Sequence, residues 1–246
     1  ITTVLTYFVI RHRWNLPAWL SVSATVFFVA IDVLLVLGCA IKLFDGGWFP
    51  ILLGLTLFVA MSTWWRGRQL LMQSIEKDGI DLQDFLPTLN VSDMNRAERT
   101  AVYPVADPRK VPMALLHNLK HNQVLHARNV ILTVVFESVP WIGNFDRLKI
   151  APLGNDFWQI TVHYGFMNTP NIPQAMELAE DMGLKVSLFD TTYFLSRETV
   201  VPTPGAGMAK WREQLFAAMS QNAGGVVEFF RLPGNAVVEL GTRVSI

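Results

Sequence analysis

The chain has 246 residues, no starting Met and a formal net charge of zero. That balance excludes nucleic acid as the main partner, because phosphate binding needs a basic surface. The single cysteine, Cys39, excludes an internal disulfide and fits a reducing compartment.

Charge is unevenly placed. Of 40 Lys, Arg, Asp and Glu side chains, five lie in residues 1–65: Arg11, Arg13, Asp32, Lys42 and Asp45. The first part therefore has a membrane composition and the rest a soluble one. The opening run Ile1 to Ile10 is already apolar and lacks the basic region of a signal peptide, so it is expected to be the end of a hydrophobic helix cut off upstream. Two longer apolar segments follow, from about Leu16 to Phe44 and from Trp48 to Trp65. Each approaches the roughly 20 residues that an α-helix needs to cross about 30 Å of hydrocarbon. Asp45-Gly46-Gly47 marks a turn between them, and Pro50 falls in the first turn of the second helix, where a missing N–H costs little.

The flanks set a direction. Arg11, His12 and Arg13 lie in the first loop, and Arg66 and Arg68 at the exit of the last helix. The positive-inside rule puts both clusters in the cytoplasm, which two crossings satisfy, and makes the C-terminal domain cytosolic. Trp14, Trp19, Trp48, Trp64 and Trp65 sit near helix ends, where indoles favour the interface. Lys42 is expected to snorkel to the outer surface. Asp32 lies near the middle of the first long segment. An intramembrane carboxylate is costly and faces a bundle interior or a cavity. Two readings are open for it: ion or proton coupling, or a structural hydrogen bond to a neighbouring helix.

The segment 67–94 reads as a helical connector, with helical propensity from Arg68 to Lys77 and a break at Asp78-Gly79. Residues 95–246 then alternate. Strands are expected at Thr100 to Val105, Asn129 to Phe136, Arg147 to Pro152, Phe157 to Tyr164, Lys185 to Phe189, Tyr193 to Val201 and Ala236 to Val244. The β-branched run from Asn129 suits a strand buried on both faces, and the two strands after it suit an antiparallel pair. Helices are expected at Pro112 to Asn122, from an Asn171 cap to Gly183, at Met208 to Asn222 with Trp211, Leu215, Phe216 and Met219 on one face, and at Val226 to Phe230. The fold class is an α-helical transmembrane hairpin followed by an α/β domain with a mixed sheet.

Little here points to catalysis. His117 and His121 share a helix face, but with His126 they find no nearby Cys or carboxylate to complete a tetrahedral site. A polar surface docking on the rest of the protein explains them better. There is no nucleophile elbow and no phosphate-cradling glycine loop. Gly205-Ala-Gly207 precedes a helix, and helix N-termini bind anions, but Pro202 and Pro204 make a plain turn the better reading. Arg197-Glu198 reads either as a buried polar pair or as part of a ligand pocket. No catalytic residue, no metal ligand and no cofactor is assigned.

The run Lys42-Leu-Phe-Asp-Gly-Gly-Trp-Phe-Pro-Ile-Leu-Leu-Gly54 and the run Thr63-Trp-Trp-Arg-Gly-Arg68 resemble the last membrane hairpin of the Kup/HAK/KT potassium uptake family. Asp32 stands where that family carries an acidic residue. Ala114 to His126, His163-Tyr-Gly-Phe-Met167 with Pro170-Asn-Ile-Pro173, Tyr193 to Glu198 and Val237-Val-Glu-Leu-Gly241 are similar to further family signatures, in order. Asn95 to Val105 matches only loosely. The resemblance implies an end piece of a polytopic bundle of the amino acid–polyamine–cation (APC) superfamily type, in a bacterial inner membrane. It implies potassium–proton symport by the intact protein, which is not an enzyme, with the ion-binding residues in helices absent from this chain. Expected partners are potassium ion, proton and the lipid bilayer. A homodimer is left open, as is a nucleotide on the soluble domain. In the alternative reading the domain is a membrane-anchored module sensing a cyclic di-AMP-like nucleotide, a ligand that some relatives bind.

Overall fold

The computed structural model describes residues 2–13, 17–41, 43–89, 94–184, 186–201, 203 and 207–245. Trp14, Lys42, Pro202, Pro204 and Gly205, all singled out above, lie outside them. The chain divides into two compact units, Ile1–Ser62 and Thr63–Ile246.

The first unit is built of helices. Helix α1 spans Thr2–His12, so Arg11 and His12 close a helix rather than sit in a loop. Helix α2 spans Ala18–Ile41, 24 residues with Asp32 as its only charge. A π-helical turn over Leu43–Gly47 follows, with Gly46 at φ 121° where a side chain would be strained. Helix α3 then runs Trp48–Asp78. Both α2 and α3 are long and apolar enough to cross a membrane, and their most apolar stretches are almost wholly exposed. A soluble protein's core helix would bury such a surface.

Helix α3 corrects the expected end at Trp65. It has 31 residues, about 46 Å at 1.5 Å per residue. Gly67 does not interrupt it, and Gln69 to Met72 are good helix formers, so the helix continues past the expected end. Arg66 and Arg68 therefore lie within a helix. A short helix α4, Leu82–Phe85, follows, capped by the Asp81 carboxylate accepting from the Gln83 N–H at 3.0 Å.

The second unit holds a six-stranded mixed sheet, ordered β3-β4-β2-β1-β5-β6. The strands are β1 Asn95–Pro104, β2 Val124–Glu137, β3 Leu148–Gly154, β4 Phe157–Gly165, β5 Thr191–Val201 and β6 Val237–Ser245. All pairs are parallel except the β3–β4 hairpin. Its loop is Asn155-Asp156, both at positive φ, the geometry that two-residue hairpins favour.

The β-branched run of β2 lies between β1 and β4, and alternate residues serve two cores. Val130 and Leu132 pack with Ile160, Val162 and helix α6, Ile172–Asp181. Ile131 and Leu125 pack on the other face with Leu82 and Leu115, the latter in α5, Met113–His117. Burial on both faces is what the near-continuous apolar run encodes. Asn171 caps α6 as expected, accepting from the Gln174 N–H at 3.1 Å. Helix α7, Lys210–Gln221, and α8, Val226–Phe229, complete the unit.

Three expectations fail in detail. Of the strand expected over Lys185 to Phe189, Lys185 lies outside the described residues and the rest is no strand: the slot beside β1 is filled by β5, which begins at Thr191, while Val186 plugs the α6 core and Leu188–Asp190 forms a 3-10 turn. The helix from Pro112 shortens to α5 and ends in a π-helical turn, Asn118–Asn122. In α7, Trp211 is exposed, and the inward face is Phe216, Ala217 and Glu213.

Candidate functional site in the apolar helices

Asp32 does not stand alone. The Thr3 hydroxyl of α1 donates to its Oδ2 at 2.5 Å, across 29 positions of sequence. The two helices pack so that Thr2, Thr3, Thr6 and Thr25 line a cavity of about 300 Å³ with Ala24, Phe28 and Asp32. Thr6 donates its hydroxyl to the Thr2 carbonyl and Thr25 to the Ser21 carbonyl, each four residues back. These bonds satisfy the hydroxyl protons inside the helices and leave oxygen lone pairs facing outward. A carboxylate beside hydroxyl groups in an apolar surround has the chemistry to take up a proton or to meet a hard cation.

The threonines were not singled out in the sequence, although a signal existed. Thr25 and Asp32 are seven residues apart, two turns along one face, and Thr2, Thr3 and Thr6 fall on adjacent turns of α1.

The second unit disperses the other candidates. Arg197 and Glu198 are not a buried pair: Arg197 reaches across to Glu239 at 3.3 Å, and both Arg197 and Glu198 are exposed. They do line a groove of about 340 Å³ with Ser196, Gln221, Gly224 and Gly225. Although Glu198 reaches solvent, the protein crowded around its carboxyl displaces part of its hydration and raises its pKa from the ordinary value, and Arg68 opposes that shift. His117 and His121 stack at 5.8 Å, and the His117 Nε2 meets the Thr242 hydroxyl at 3.2 Å, so the helix docks on β6. His126 is elsewhere, buried in β2 against Phe194, where loss of water lowers its pKa. Among the described residues, no three His, Cys, Asp or Glu side chains gather as a metal site.

The remaining contacts concern how α3 meets the sheet domain. Trp64 packs on Phe216 of α7 at 5.5 Å, and the Arg212 Nε donates to the Thr63 hydroxyl at 2.9 Å. A Cβ at Gly67 would fall 2.3 Å from the Phe216 ring, so this crossing requires glycine.

Residues 1–69 match the integral membrane domain of the K+ potassium transporter family, and residues 98–246 match its C-terminal domain. The chain belongs to that family. It is 57% identical over its full length to a probable potassium transport system protein, Kup 2, of Albidiferax ferrireducens, covering 39% of that protein. It is 51% identical to Kup 1 of the same organism and 50% identical to Kup of an Acidovorax species, in each case over the whole chain and 40% of the relative. The chain thus spans about two fifths of the length of the curated relatives it matches. No solved structure matches it. The Kup/HAK/KT resemblance holds, and the relatives it rests on are named as potassium transport proteins.

Proposed function

We propose that this chain is the C-terminal part of a potassium transporter that couples potassium entry to proton entry across a bacterial inner membrane. The relatives named as potassium transport proteins support the substrate, and Asp32 supports the coupling. A single carboxylate on an apolar helix, hydrogen-bonded and facing a cavity lined by threonines and apolar side chains, has the chemistry to load and release a proton or to meet a cation. In this reading residues 1–66 carry membrane helices of an APC-type bundle and 67–94 a helical connector. Residues 95–246 form a cytosolic domain that stabilises or regulates the transporter. The arginines at 11, 13, 66 and 68 support that orientation.

The Thr3 hydrogen bond equally favours a second reading, in which Asp32 only ties α1 to α2. Asp32→Asn separates the two, since an amide oxygen still accepts from Thr3 but cannot carry a proton. The test is potassium-limited growth of a transport-deficient bacterium expressing the full-length parent, with proton uptake measured alongside. Proton coupling predicts that the parent rescues growth and that Asp32→Asn abolishes potassium-driven proton entry. Coupled transport by Asp32→Asn would leave Asp32 a structural role, and a parent that fails to rescue would remove the transport reading itself.

A further inference from the structure

The carboxyl end of the sheet carries an apolar loop whose backbone is held rigid while its side chains stand in water. The loop between β2 and β3 lies against the segment after β4: Phe166 N–H donates to the Val139 carbonyl and Met167 N–H to the Pro140 carbonyl, both at 3.0 Å. The Asn168 side-chain oxygen accepts from the N–H of Ile142 and of Gly165, at 2.9 and 2.8 Å, and Arg147 donates to the Ile142 carbonyl at 2.8 Å. A Cβ on Gly165 would meet the Pro140 oxygen at 2.5 Å, so the two segments touch backbone to backbone. From this frame Trp141, Phe145, Phe166 and Met167 project with 62, 99, 64 and 55% of their surface exposed. Large apolar side chains exposed together on two segments braced backbone to backbone mark a docking face.

Strand register says which end of the domain this is. Val102 pairs with Val130 of β2 and with Tyr193 of β5. Seven residues further along each strand stand Glu137 and Val200, and these pair with Gly165 of β4 and Val244 of β6. Glu137, Gly165, Val200 and Val244 therefore form one row across the sheet. The apolar loop springs from the first two. The last two pack with Leu70 and Leu71 of α3, which follow the apolar span within ten residues of chain. The β2 to β6 separation is three strand spacings, about 14 Å.

We propose that this loop inserts its aromatic side chains into the lipid interface, giving the α/β domain a second membrane contact beside α3. Tryptophan and phenylalanine on a firm backbone suit the headgroup boundary. Nearby charge is balanced, Glu137 and Asp146 against Arg147 and Lys149, with Glu137 bound to His163 at 2.9 Å. The contact is hydrophobic in kind and needs no anionic lipid. The inference rests on the reading that α2 and α3 cross a bilayer.

The test is nitroxide labelling of the whole chain in phosphatidylcholine nanodiscs. Cys39→Ser removes the sole native thiol, and labels go singly at Phe145→Cys, Phe58→Cys in α3 and Phe189→Cys. Phe189 is 96% exposed and precedes β5, at the amino end of the parallel strands. Collision with oxygen against a water-soluble nickel chelate reports depth. The expected result is an oxygen-to-nickel ratio several-fold higher at 145 than at 189, approaching that at 58, and unchanged when phosphatidylglycerol is added. A lipid-like value at 58 with an aqueous value at 145 overturns the loop contact alone. An aqueous value at 58 overturns the spanning reading, and this inference with it. Shielding at 145 that occurs only in discs holding two chains, with dipolar broadening between labels, assigns the face to a second copy and overturns the lipid contact.

Discussion

Leu37 in α2 and Leu132 in β2 are the same side chain in opposite surroundings, 57% exposed in one case and 1% in the other. The contrast extends to whole elements. Leu34, Leu35, Val36, Phe58 and Met61 stand outward in the helices, while Val130, Ile131, Ile160 and Val162 vanish into the sheet. In water the first arrangement would be untenable, because apolar area is worth about 25 cal/mol per Å² when removed from solvent. In hydrocarbon it costs nothing. The chain thus solves one problem, hiding apolar surface, once with lipid and once with itself.

The sharpest way to break that comparison is to truncate both leucines. Leu132→Ala should destabilise the α/β unit by about 2–5 kcal/mol in denaturant melts of the chain in detergent micelles, through lost transfer energy and a cavity. Leu37→Ala should stay within about 0.5 kcal/mol, as at other unpacked positions. Equal costs would mean that α2 is a packed core helix after all.

Two glycines sharpen the contrast from the other side. Gly165→Ala drives a methyl into a carbonyl oxygen of the Pro140 peptide, which cannot rotate away, and should cost about 1–3 kcal/mol. Gly67→Ala drives a methyl to within 2.6 Å of three ring atoms of the fully buried Phe216, so it should cost a similar amount, read as lost protection of α7 amides in hydrogen exchange. Gly54, exposed in the apolar part of α3 with nothing near its Cβ position, should accept alanine without loss.

A smaller effect is gated by pH. Burial lowers the His126 pKa below its ordinary 6.5, so the unfolded chain binds the proton more readily than the fold does. The contribution is complete above about 6.5 and is lost as pH falls through the folded value. Melting temperature of the α/β unit should therefore drop below pH 6.5, and His126→Phe should flatten that limb. The smallest effect belongs to Arg197→Ala. Its pairing with Glu239 leaves the guanidinium side chain 70% exposed, and such pairs contribute about 0–1 kcal/mol.

Much of this architecture was legible in the residues. The β-branched run of β2, the antiparallel β3–β4 pair, the Asn171 cap and the two apolar spans follow from local pattern and needed no partner to be recognised. The site was legible only by half. Asp32 stood out as a lone charge, but the threonines around it did not, because a hydroxyl is ordinary in any helix until a second helix brings it to a carboxylate. The stretch from Val186 to Phe189 misled for the same reason: strand propensity is a local property, while a place in a sheet depends on which segment pairs with the neighbouring strand, here β5. Buried Glu213 and exposed Trp211 reversed their usual places because α7 turns toward α3 and the ends of β5 and β6.

Composition and periodicity alone determined that one part of this protein is made for lipid and the other for water, since those are sums over near neighbours in the chain. Register, the row of strand ends that aligns Gly165 with Val244, and the meeting of Thr3 with Asp32 were decided only by tertiary structure. They join residues 79 and 29 positions apart, and no local property of a chain reports what closes a loop of that length.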